Sequence, residues 1–307
     1  MKNQDCRPVL VTGAGSGIGN HLVKYLATRG HIVYAGARGE EDLAALAAID
    51  NVVPLRLDVR DIDQVRDAEL FVRRQGTGLY GLVNNAGLGE LGMLSTWADD
   101  ELVNIFDVNV FGPFRMTNAF LDLLLKSEGR IVNIGSQGGV LTNKYYGPYT
   151  MTKHALEAYT VTLNCELEPY RVRASIVQPG GIATDIGAKS MAGNVARFKR
   201  AEAPFVEEAK QFLTALEKAP EATTDEESET NRKPSSPEIV ATAVYEALFS
   251  ERPKIRYLVG TRWEGDRVLN ALLTQLLDEN DNPQHSYSRD QLVALLDQQI
   301  LNHRDHK

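Results

Sequence analysis

The stretch VLVTGAGSGIG, residues 9–19, joins a short apolar run to a cluster of glycines. The apolar run predicts a buried strand, and residues 17–29 carry apolar side chains at the spacing of an amphipathic helix. Glycines between a strand and a helix let the backbone turn tightly and approach a phosphate, which the helix N-terminus also attracts. Residues 12–19, here called the glycine loop, are therefore predicted to bind a nucleotide, although Ile18 replaces the third glycine of the usual GxGxxG pattern.

Short β-rich runs alternate with longer helical patterns through the front half of the chain. This alternation predicts right-handed crossovers and an α/β, doubly wound Rossmann fold, with a seven-stranded, mostly parallel sheet and helices on both faces. The predicted strands cover residues 9–11, 31–35, 52–57, 79–83, 130–134, 172–177 and 256–259. The predicted helices cover residues 17–29, 61–74, 99–126, 149–169, 239–249, 265–277 and 289–301.

The chain is predicted to form one Rossmann-type domain over residues 1–307 with three parts. Residues 1–184 form the cofactor-binding and catalytic core, residues 185–236 a helical substrate lid, and residues 237–307 the last strand and the C-terminal helices. In the lid, residues 185–218 look helical, while residues 219–237 are rich in Thr, Glu, Ser and Pro, which predicts a flexible acidic loop. Ser236 and Pro237 suit the N-cap and the first position of the next helix.

Composition predicts a soluble globular protein and argues against several classes of partner. The 307 residues carry a net charge of −8, so no basic surplus points to nucleic acid or to an anionic membrane. No apolar run is long enough to span a membrane, and the first strand begins too early to follow a signal peptide. The two cysteines, Cys6 and Cys165, do not make a disulfide framework. These features together predict a cytoplasmic location.

Three polar residues are of the chemical types that hydride transfer at an alcohol carbon can use. Tyr149 and Lys153 are four residues apart, so they share one face of a helix, and Ser136 follows a predicted strand. The hydroxyl proton needs a base, and a nearby ammonium would favour the phenolate of a tyrosine, whose pKa is ordinarily about 10. A serine hydroxyl would hold the substrate oxygen beside the phenol. Each residue alone is commonplace, but together with the glycine loop they indicate a nicotinamide-dependent oxidoreductase.

The residues after the second and third predicted strands bear on the choice of cofactor. An acidic residue at the end of the second strand commonly binds the ribose 2′-hydroxyl, but here Arg38 follows that strand. A guanidinium suits a 2′-phosphate, so NADP(H) is favoured, with NAD(H) possible because the acidic residues at 40–42 could neutralise Arg38. Asp58 and Val59 follow the third strand, where Asp58 would either contact adenine or form an ordinary turn.

These motifs together resemble the short-chain dehydrogenase/reductase family over residues 8–185, and more loosely as far as residue 262. The resemblance implies that Tyr149 is the general acid/base and that Ser136 orients the substrate. It implies that Lys153 binds the nicotinamide ribose and lowers the tyrosine pKa, and that Asn109 holds a water that links Lys153 to solvent. The matching motifs are the glycine loop, Asn84-Asn85-Ala86-Gly87, Ser136, Tyr149-xxx-Lys153 and Pro179-Gly180.

The resemblance also implies how the cofactor is lined and how chains assemble. Helices within residues 99–126 and 149–169 commonly form a homodimer or homotetramer interface in this family. No metal site is predicted. The predicted cofactor contacts, with the residues after the second and third strands included, are Thr12, Gly13, Gly15, Ser16, Gly17, Ile18, Gly19, Arg38, Asp58, Val59, Asn85, Ala86, Gly87, Val110, Tyr149, Lys153, Pro179, Gly180, Ile182 and Thr184.

Within the family, the chain most resembles retinol, hydroxysteroid and 3-hydroxybutyrate dehydrogenases, especially in YTMTKHALEA at residues 149–158. Gly135 stands where many members have a second serine, and the acidic segment at 219–237 matches no motif of the family. Tyr145 and Tyr146 have no lysine four residues later, so they are predicted to line the substrate entrance or to pack. A lipophilic alcohol or ketone would suit an apolar pocket in the lid, although the same residues could only pack the lid onto the body. They are Ile186, Met191, Val195, Phe198, Phe205, Phe212 and Leu213.

Three alternatives to a lipophilic alcohol dehydrogenase or carbonyl reductase stay open at this stage. One is a cofactor-binding regulator without turnover, against which the complete set of Ser136, Asn109, Tyr149 and Lys153 argues. Another is a dehydrogenase of short-chain hydroxy acids. The third is a nucleotide-sugar epimerase or dehydratase, which usually has a different sequence around its tyrosine.

Overall fold

The computed structural model describes residues 6–217, 227–228 and 231–305. In this part of the chain, seven strands form one sheet in which every neighbouring pair is parallel. The strands are β1 (Val9–Val11), β2 (Val33–Ala37), β3 (Val52–Arg56), β4 (Gly81–Asn84), β5 (Arg130–Ile134), β6 (Arg173–Pro179) and β7 (Arg256–Val259). Their order across the sheet is β3-β2-β1-β4-β5-β6-β7, which confirms the predicted doubly wound fold.

Helices cover both faces of the sheet, because neighbouring strand residues point to opposite sides. Leu22 of the first helix and Val244 near the C-terminus pack in one core cluster with Val9. Phe120 packs in a second cluster with Leu10, the next residue of β1. The helices are α1 (Gly17–Ala27), α2 (Glu40–Ala47), α3 (Ile62–Gln75), α4 (Asp99–Phe106), α5 (Gly112–Ser127), α6 (Gly147–Leu167), α7 (Ile186–Lys199), α8 (Val206–Glu217), α9 (Pro237–Phe249), α10 (Arg262–Asn280) and α11 (Arg289–Asp305).

The region around β2 differs from the prediction in two respects. The strand begins at Val33 rather than at residue 31, because the His31 N–H still donates to the Leu26 carbonyl at the end of α1 (3.3 Å). Helix α2 was not predicted. Its first turn consists of acidic residues, and Leu46 is its one buried residue, so its apolar period is too weak to be recognised from sequence.

The helix predicted over residues 99–126 is interrupted between α4 and α5. A π-helical segment, Asp107–Phe111, joins them, and Pro113 at the start of α5 has no N–H to continue a regular ladder. Gly112 approaches the core so closely that an added Cβ would lie 2.7 Å from Val59 Cγ2. The irregular turn buries Asn109 in the middle of the segment.

The described part of the lid consists of α7 and α8, which separate around Pro204 instead of forming the single helix predicted over residues 185–218. Of the predicted acidic loop, residues 219–226 and 229–230 lie outside the described residues. Where the chain is again described, Ser235 pairs with the segment after β6, since its N–H donates to the Gly181 carbonyl (2.8 Å). The predicted N-cap of α9 is confirmed, because Ser236 Oγ accepts the Glu238 N–H (3.2 Å).

The described part of the molecule has neither a membrane-spanning helix nor a cluster of metal ligands. None of its helices has the length and apolar character that a membrane crossing requires. Nor do its histidine, cysteine, aspartate and glutamate side chains gather in a group that could hold a metal ion.

Candidate active site

The predicted site residues meet at the carboxyl edge of the sheet. Ser136 follows β5 by one residue, and Tyr149 and Lys153 lie in the first two turns of α6. The glycine loop follows β1, and Asn85 follows β4, the strand beside it. Parallel strands end at the same edge, so the topology brings the two groups of residues together.

Ser136 and Tyr149 lie side by side. Ser136 begins a short 3₁₀ turn, Gln137–Gly139, and its Oγ accepts the Gly138 N–H at 3.0 Å. The Tyr149 ring is its neighbour, since a Cβ atom added to Gly138 would lie 3.3 Å from both Ser136 Oγ and Tyr149 Cε1. Burial raises the pKa of Tyr149 above its ordinary value, while the Ser136 hydroxyl acts in the opposite direction. The pair can therefore hold an oxygen atom and exchange a proton with it.

Lys153 supplies a buried amino group beside this pair. Its side chain is 7% exposed, and its Nζ donates to the Ile134 carbonyl at 2.8 Å. The same Nζ lies 5.6 Å from the centre of the Tyr149 ring. Burial lowers the pKa of Lys153 to about 8, because it penalises the charged form. The amine is still mostly protonated at neutral pH, so it places a positive charge next to the phenol.

Asn109 lies next to Lys153 but is bonded to other partners. Its Oδ1 accepts the Leu88 N–H at 2.8 Å, and its Nδ2 donates to the Leu88 carbonyl at 2.9 Å. Nδ2 also donates to Thr152 Oγ1 at 3.0 Å. The side chain thus fastens the segment after β4 to α6. Asn109 and Lys153 both border Gly87, because a Cβ atom added to Gly87 would lie 3.5 Å from Asn109 Oδ1 and 3.9 Å from Lys153 Nζ.

The glycine loop has the backbone that a pyrophosphate needs. Gly13 and Gly17 have φ of +65° and +54°, which side chains disfavour. An added Cβ on Gly13 would lie 2.8 Å from Ala86 Cα, and one on Gly19 would lie 2.5 Å from Asn85 Nδ2. Ser16 caps α1 through its backbone only, with no side-chain cap bond, so its hydroxyl satisfies none of the first-turn N–H groups. The residues present therefore fit a dinucleotide.

Thr12 and Asn85 hold this loop in place rather than facing outward. Thr12 is 1% exposed, and its Oγ1 accepts the N–H groups of Asn85 and Ala86, each at 3.0 Å. Asn85 Nδ2 returns a bond to the Thr12 carbonyl at 2.9 Å. One strand over, Asn84 Nδ2 donates to Asn133 Oδ1 at 2.9 Å. Asparagine side chains thus link the ends of β1, β4 and β5.

Arg38 follows the end of β2 and has an exposed guanidinium. Its side chain is 66% exposed and lies 3.8 Å from Asp58 Oδ2. That carboxylate is bound more closely by Arg60, at 3.1 Å and 2.8 Å, and this contact lowers the pKa of Asp58. Arg56 pairs with Glu40. Val59 is buried against Gly112 and belongs to the core.

The segment after β6 is held by a residue that sequence reasoning missed. Glu264 is 1% exposed, and its Oε1 accepts the Gly181 N–H at 2.6 Å. An added Cβ on Gly180 would collide with the same carboxylate. The pattern Thr261-x-x-Glu264 signals a capping box for α10, which the structure contains, but it does not reveal the contact with Gly181.

The remaining predicted cofactor contacts lie around the same edge. Ile182 forms an isolated bridge with Ser235. The Thr184 side chain lies 3.5 Å from the position of an added Cβ on Gly17, so it covers the glycine loop. Val110 is half-buried in the π-helical segment beside Asn109. Gly15 has the Asp42 carboxylate directly against it.

The seven apolar lid residues divide into two groups. Phe198 is fully buried with Met93 and Ala209, and Phe212 stacks on it at 4.3 Å, with Leu213 packed against the same cluster. These residues pack the lid onto the body. Ile186 and Met191 are exposed, at 49% and 41%, as is Phe205, whereas Val195 is half-buried.

Ile186, one of the exposed lid residues, adjoins the tyrosine. An added Cβ on Gly89 would lie 3.3 Å from Ile186 Cδ1 and 4.0 Å from Tyr149 Cε2, so these side chains are neighbours. The Tyr146 ring is 6.4 Å from the Tyr149 ring and 40% exposed. Tyr145 packs in the lid instead, where its hydroxyl donates to Glu208 at 2.6 Å.

A buried arginine anchors the lid and was also missed from sequence. Arg197 is 3% exposed, and its Nη2 donates to Glu90 at 2.7 Å, while Nε lies 3.3 Å from Glu101. Its guanidinium stacks 3.9 Å from the Trp97 ring centre. Arg200 binds Glu101 as well. A lone arginine in an amphipathic helix gives no sequence signal that separates it from a surface residue.

Fold and site together have the arrangement of a dinucleotide-binding α/β protein with a Ser/Tyr/Lys centre. The family profile described as short chain dehydrogenase matches residues 7–194. The chain belongs to this family, as its sequence motifs indicated.

Individual relatives carry dehydrogenase names. The chain is 34% identical to the mitochondrial D-beta-hydroxybutyrate dehydrogenase of Bos taurus, over 63% of this chain and 58% of that protein. It is 36% identical to estradiol 17-beta-dehydrogenase 2 of Mus musculus, over 59% of this chain and 50% of that protein. The chain thus spans between half and about three fifths of the length of these curated relatives.

A solved structure is similar over most of the chain. The short chain dehydrogenase of Burkholderia cenocepacia in complex with NADP has a TM-score of 0.66 and 25% sequence identity. The match covers 91% of this chain and 99% of that one. The similarity therefore extends through the lid region, beyond the segment that the family profile matches.

Proposed function

We propose that this protein interconverts an alcohol and a ketone or aldehyde by hydride transfer with a nicotinamide cofactor. The observation that carries the proposal is the placement of Ser136 and Tyr149 side by side, with the buried amine of Lys153 5.6 Å from the tyrosine ring centre. The glycine loop at the same sheet edge supports it, because it brings a dinucleotide to these groups. Membership of the short-chain dehydrogenase family supports it as well.

Each residue of the centre has a separate task in this reaction. The bound cofactor supplies or accepts the hydride. Tyr149 donates its proton to the substrate oxygen during reduction and accepts one during oxidation. Ser136 donates a hydrogen bond to that oxygen and stabilises the charge that develops on it. Because burial disfavours the phenolate of Tyr149, the Lys153 ammonium offsets the cost of forming it.

The proposed cofactor is NADP(H), with NAD(H) as a weaker alternative. Arg38 supports this choice, because Asp58 is already bound by Arg60 and leaves the Arg38 guanidinium exposed at the end of β2. A guanidinium can bind a 2′-phosphate through two parallel N–H bonds. The Burkholderia cenocepacia structure, which is similar in fold, contains NADP. Glycine-loop N–H groups, Asn85–Gly87 and Thr184 would hold the rest of the molecule.

The proposed substrate is lipophilic. Ile186 of the lid and Tyr146 leave apolar surface exposed near Tyr149. The buried cation of the lid, Arg197, is already bound by two carboxylates, so it is not available to a substrate carboxylate. These contacts favour a steroid-like or retinoid-like carbonyl compound over a short hydroxy acid.

A panel of carbonyl compounds tests the proposal directly. Cofactor oxidation would be followed with NADPH and NADH in parallel against steroids, retinal, aromatic ketones and short 3-oxo acids. We expect turnover with NADPH preferred and with the larger apolar ketones best. Cofactor binding without turnover on any of these compounds would favour the alternative of a regulator. A preference for 3-oxo acids would instead overturn the lipophilic substrate.

Assembly and location remain proposals from the sequence. A homodimer or homotetramer through α4, α5 and α6 is supported by apolar side chains that these helices and the π-helical segment between α4 and α5 expose, namely Val103, Phe111, Phe114 and Met151. Light scattering would reveal a monomer if this is wrong, and Phe114→Glu should weaken the assembly. The proposed cytoplasmic location agrees with the free thiols of Cys6 and Cys165, and a fluorescent fusion would test it.

A further inference from the structure

The lid reaches the glycine loop through one lysine. Lys189, in the first turn of α7, donates from Nζ to Ser16 Oγ at 2.6 Å, across 173 residues of sequence. Ser16 is the N-cap of α1 and lies in the middle of the glycine loop. The lid ammonium is therefore held at the point where a cofactor pyrophosphate would meet the chain.

Two positive groups would favour an anion at this position. The N-terminus of α1 carries a partial positive charge, and its first turn has no acidic residue to offset it. No carboxylate within residues 6–217, 227–228 and 231–305 forms an ion pair with Lys189, although Asp185 begins α7 and Asp42 lies against Gly15. A phosphate between Lys189 and the helix end would be stabilised by both.

The rest of the lid fixes where Lys189 lies. Arg197, at the far end of α7, is buried and bound to Glu90 and Glu101. At the near end, Thr184 leans on Gly17 of the glycine loop. Helix α7 is thus anchored on both sides of Lys189, which places this exposed side chain beside the loop.

We propose that Lys189 binds the cofactor pyrophosphate and so fastens the first turn of the lid over the glycine loop. The inference rests on the proposed function, since it requires a dinucleotide cofactor. Lys189 would exchange a neutral hydroxyl partner for a charged one, which makes a stronger hydrogen bond. The pyrophosphate is common to NADPH and NADH, so Lys189 strengthens both equally, whereas Arg38 distinguishes them.

Binding measurements on Lys189→Met test the proposal without any turnover. Isothermal titration would use NADPH, NADH, ADP-ribose and 2′-AMP, the last of which has no pyrophosphate. We expect the first three to bind about fivefold more weakly or worse, and 2′-AMP to be unchanged. Lys189→Arg should restore most of the affinity. Lys199→Met, an exposed lysine in the last turn of the same helix, is the matched control and should bind like the wild type.

Hydrogen exchange gives a second, independent measurement. Amides of residues 186–191 should gain protection when ADP-ribose binds to the wild type and not when it binds to Lys189→Met. Unchanged ADP-ribose affinity and unchanged protection in Lys189→Met would overturn the role of Lys189 while the proposed function stands. A wild-type protein that binds neither NADPH nor NADH would overturn both, and carbonyl turnover would then be absent too.

Discussion

The sheet edge and the lid hold their side chains in different ways. Around Ser136 and Lys153 the bonds join residues close in sequence: Ser136 accepts the N–H of Gly138, two residues on, and Lys153 donates to the carbonyl of Ile134, 19 residues earlier. In the lid they are long in sequence, as between Arg197 and Glu90, which are 107 residues apart. The positions of Ser136 and Lys153 therefore depend on local structure, whereas the position of the lid depends on tertiary contacts. Changes at the edge should alter the rate of the chemical step, and changes in the lid should alter stability and substrate affinity.

The largest effect is expected from Tyr149→Phe, which removes the proposed acid/base and keeps the ring. We predict a fall in kcat of about 10²–10⁴-fold, the range that general acid–base groups contribute. The Kd for NADPH should stay within about threefold, because the glycine loop is untouched. Tyr146→Phe, whose ring lies 6.4 Å away, is the control and should retain turnover. Strong residual activity in Tyr149→Phe would assign the proton transfer to another group.

The buried amine of Lys153 predicts a pH dependence of stability. Burial lowers its pKa from 10.5 to about 8, so between these values the unfolded chain binds more protons than the folded one. The free energy of unfolding of the cofactor-free wild type should therefore rise with pH across this window relative to Lys153→Met. The relative gain is on the order of 3 kcal/mol, and it should be absent below pH 8. Parallel stability curves for the two proteins would show that the amine is solvated.

Arg197→Met tests whether the lid depends on its buried ion pairs. Removing the guanidinium leaves Glu90 and Glu101 without their buried partner, and we predict a loss of about 2–3 kcal/mol in the free energy of unfolding. Arg200→Met is the matched control, because Arg200 also binds Glu101 but is 44% exposed, and it should cost about 1 kcal/mol or less. Equal losses in chemical denaturation would mean that burial of Arg197 adds nothing to its ion pairs.

Sequence patterns predicted the sheet edge better than the lid for the same physical reason. The glycine loop, the strand alternation and the Tyr149/Lys153 spacing are local, so a single sequence displays them. The π-helical turn that buries Asn109 was predicted as continuous helix. Gly112 and Pro113 are the local residues that indicate an interruption there, and they do not by themselves specify a π-helical turn.

The missed residues are those whose role is set by distant partners. Glu264 meets Gly181 across 83 residues, and its local pattern predicts no more than a helix cap. Phe198 and Phe212 were predicted, together with Ile186, either to line a pocket or to pack the lid onto the body, because amphipathic spacing marks an apolar face without saying what covers it. Their stacking against each other became evident from the tertiary structure alone.

Arg38→Ala should produce a smaller effect, which changes the preference for NADPH over NADH and nothing else. We predict that NADPH binds about tenfold more weakly while NADH changes little, because the guanidinium contacts the 2′-phosphate alone. Arg56→Ala, which removes an exposed arginine paired with Glu40 at the same edge, should affect both cofactors slightly and equally. Equal losses of NADPH and NADH in Arg38→Ala would place the 2′-phosphate elsewhere.

The smallest effect is expected from Ile186→Ala, at the exposed end of the lid. Ile186 lies beside Tyr149 at the mouth of the site and is 49% exposed, so truncating it removes apolar contact with a substrate and little core packing. We predict a rise in KM of a few-fold for a lipophilic ketone, about what three lost carbon atoms of partial contact would give, with kcat and thermal stability nearly unchanged. Phe198→Ala is the contrasting lid variant, because that ring is 1% exposed and its loss should lower the Tm clearly. If Ile186→Ala lowers kcat as strongly as it raises KM, the lid positions the reacting oxygen itself. The proposed division, in which the sheet edge carries out the chemical step and the lid only binds substrate, would then be wrong.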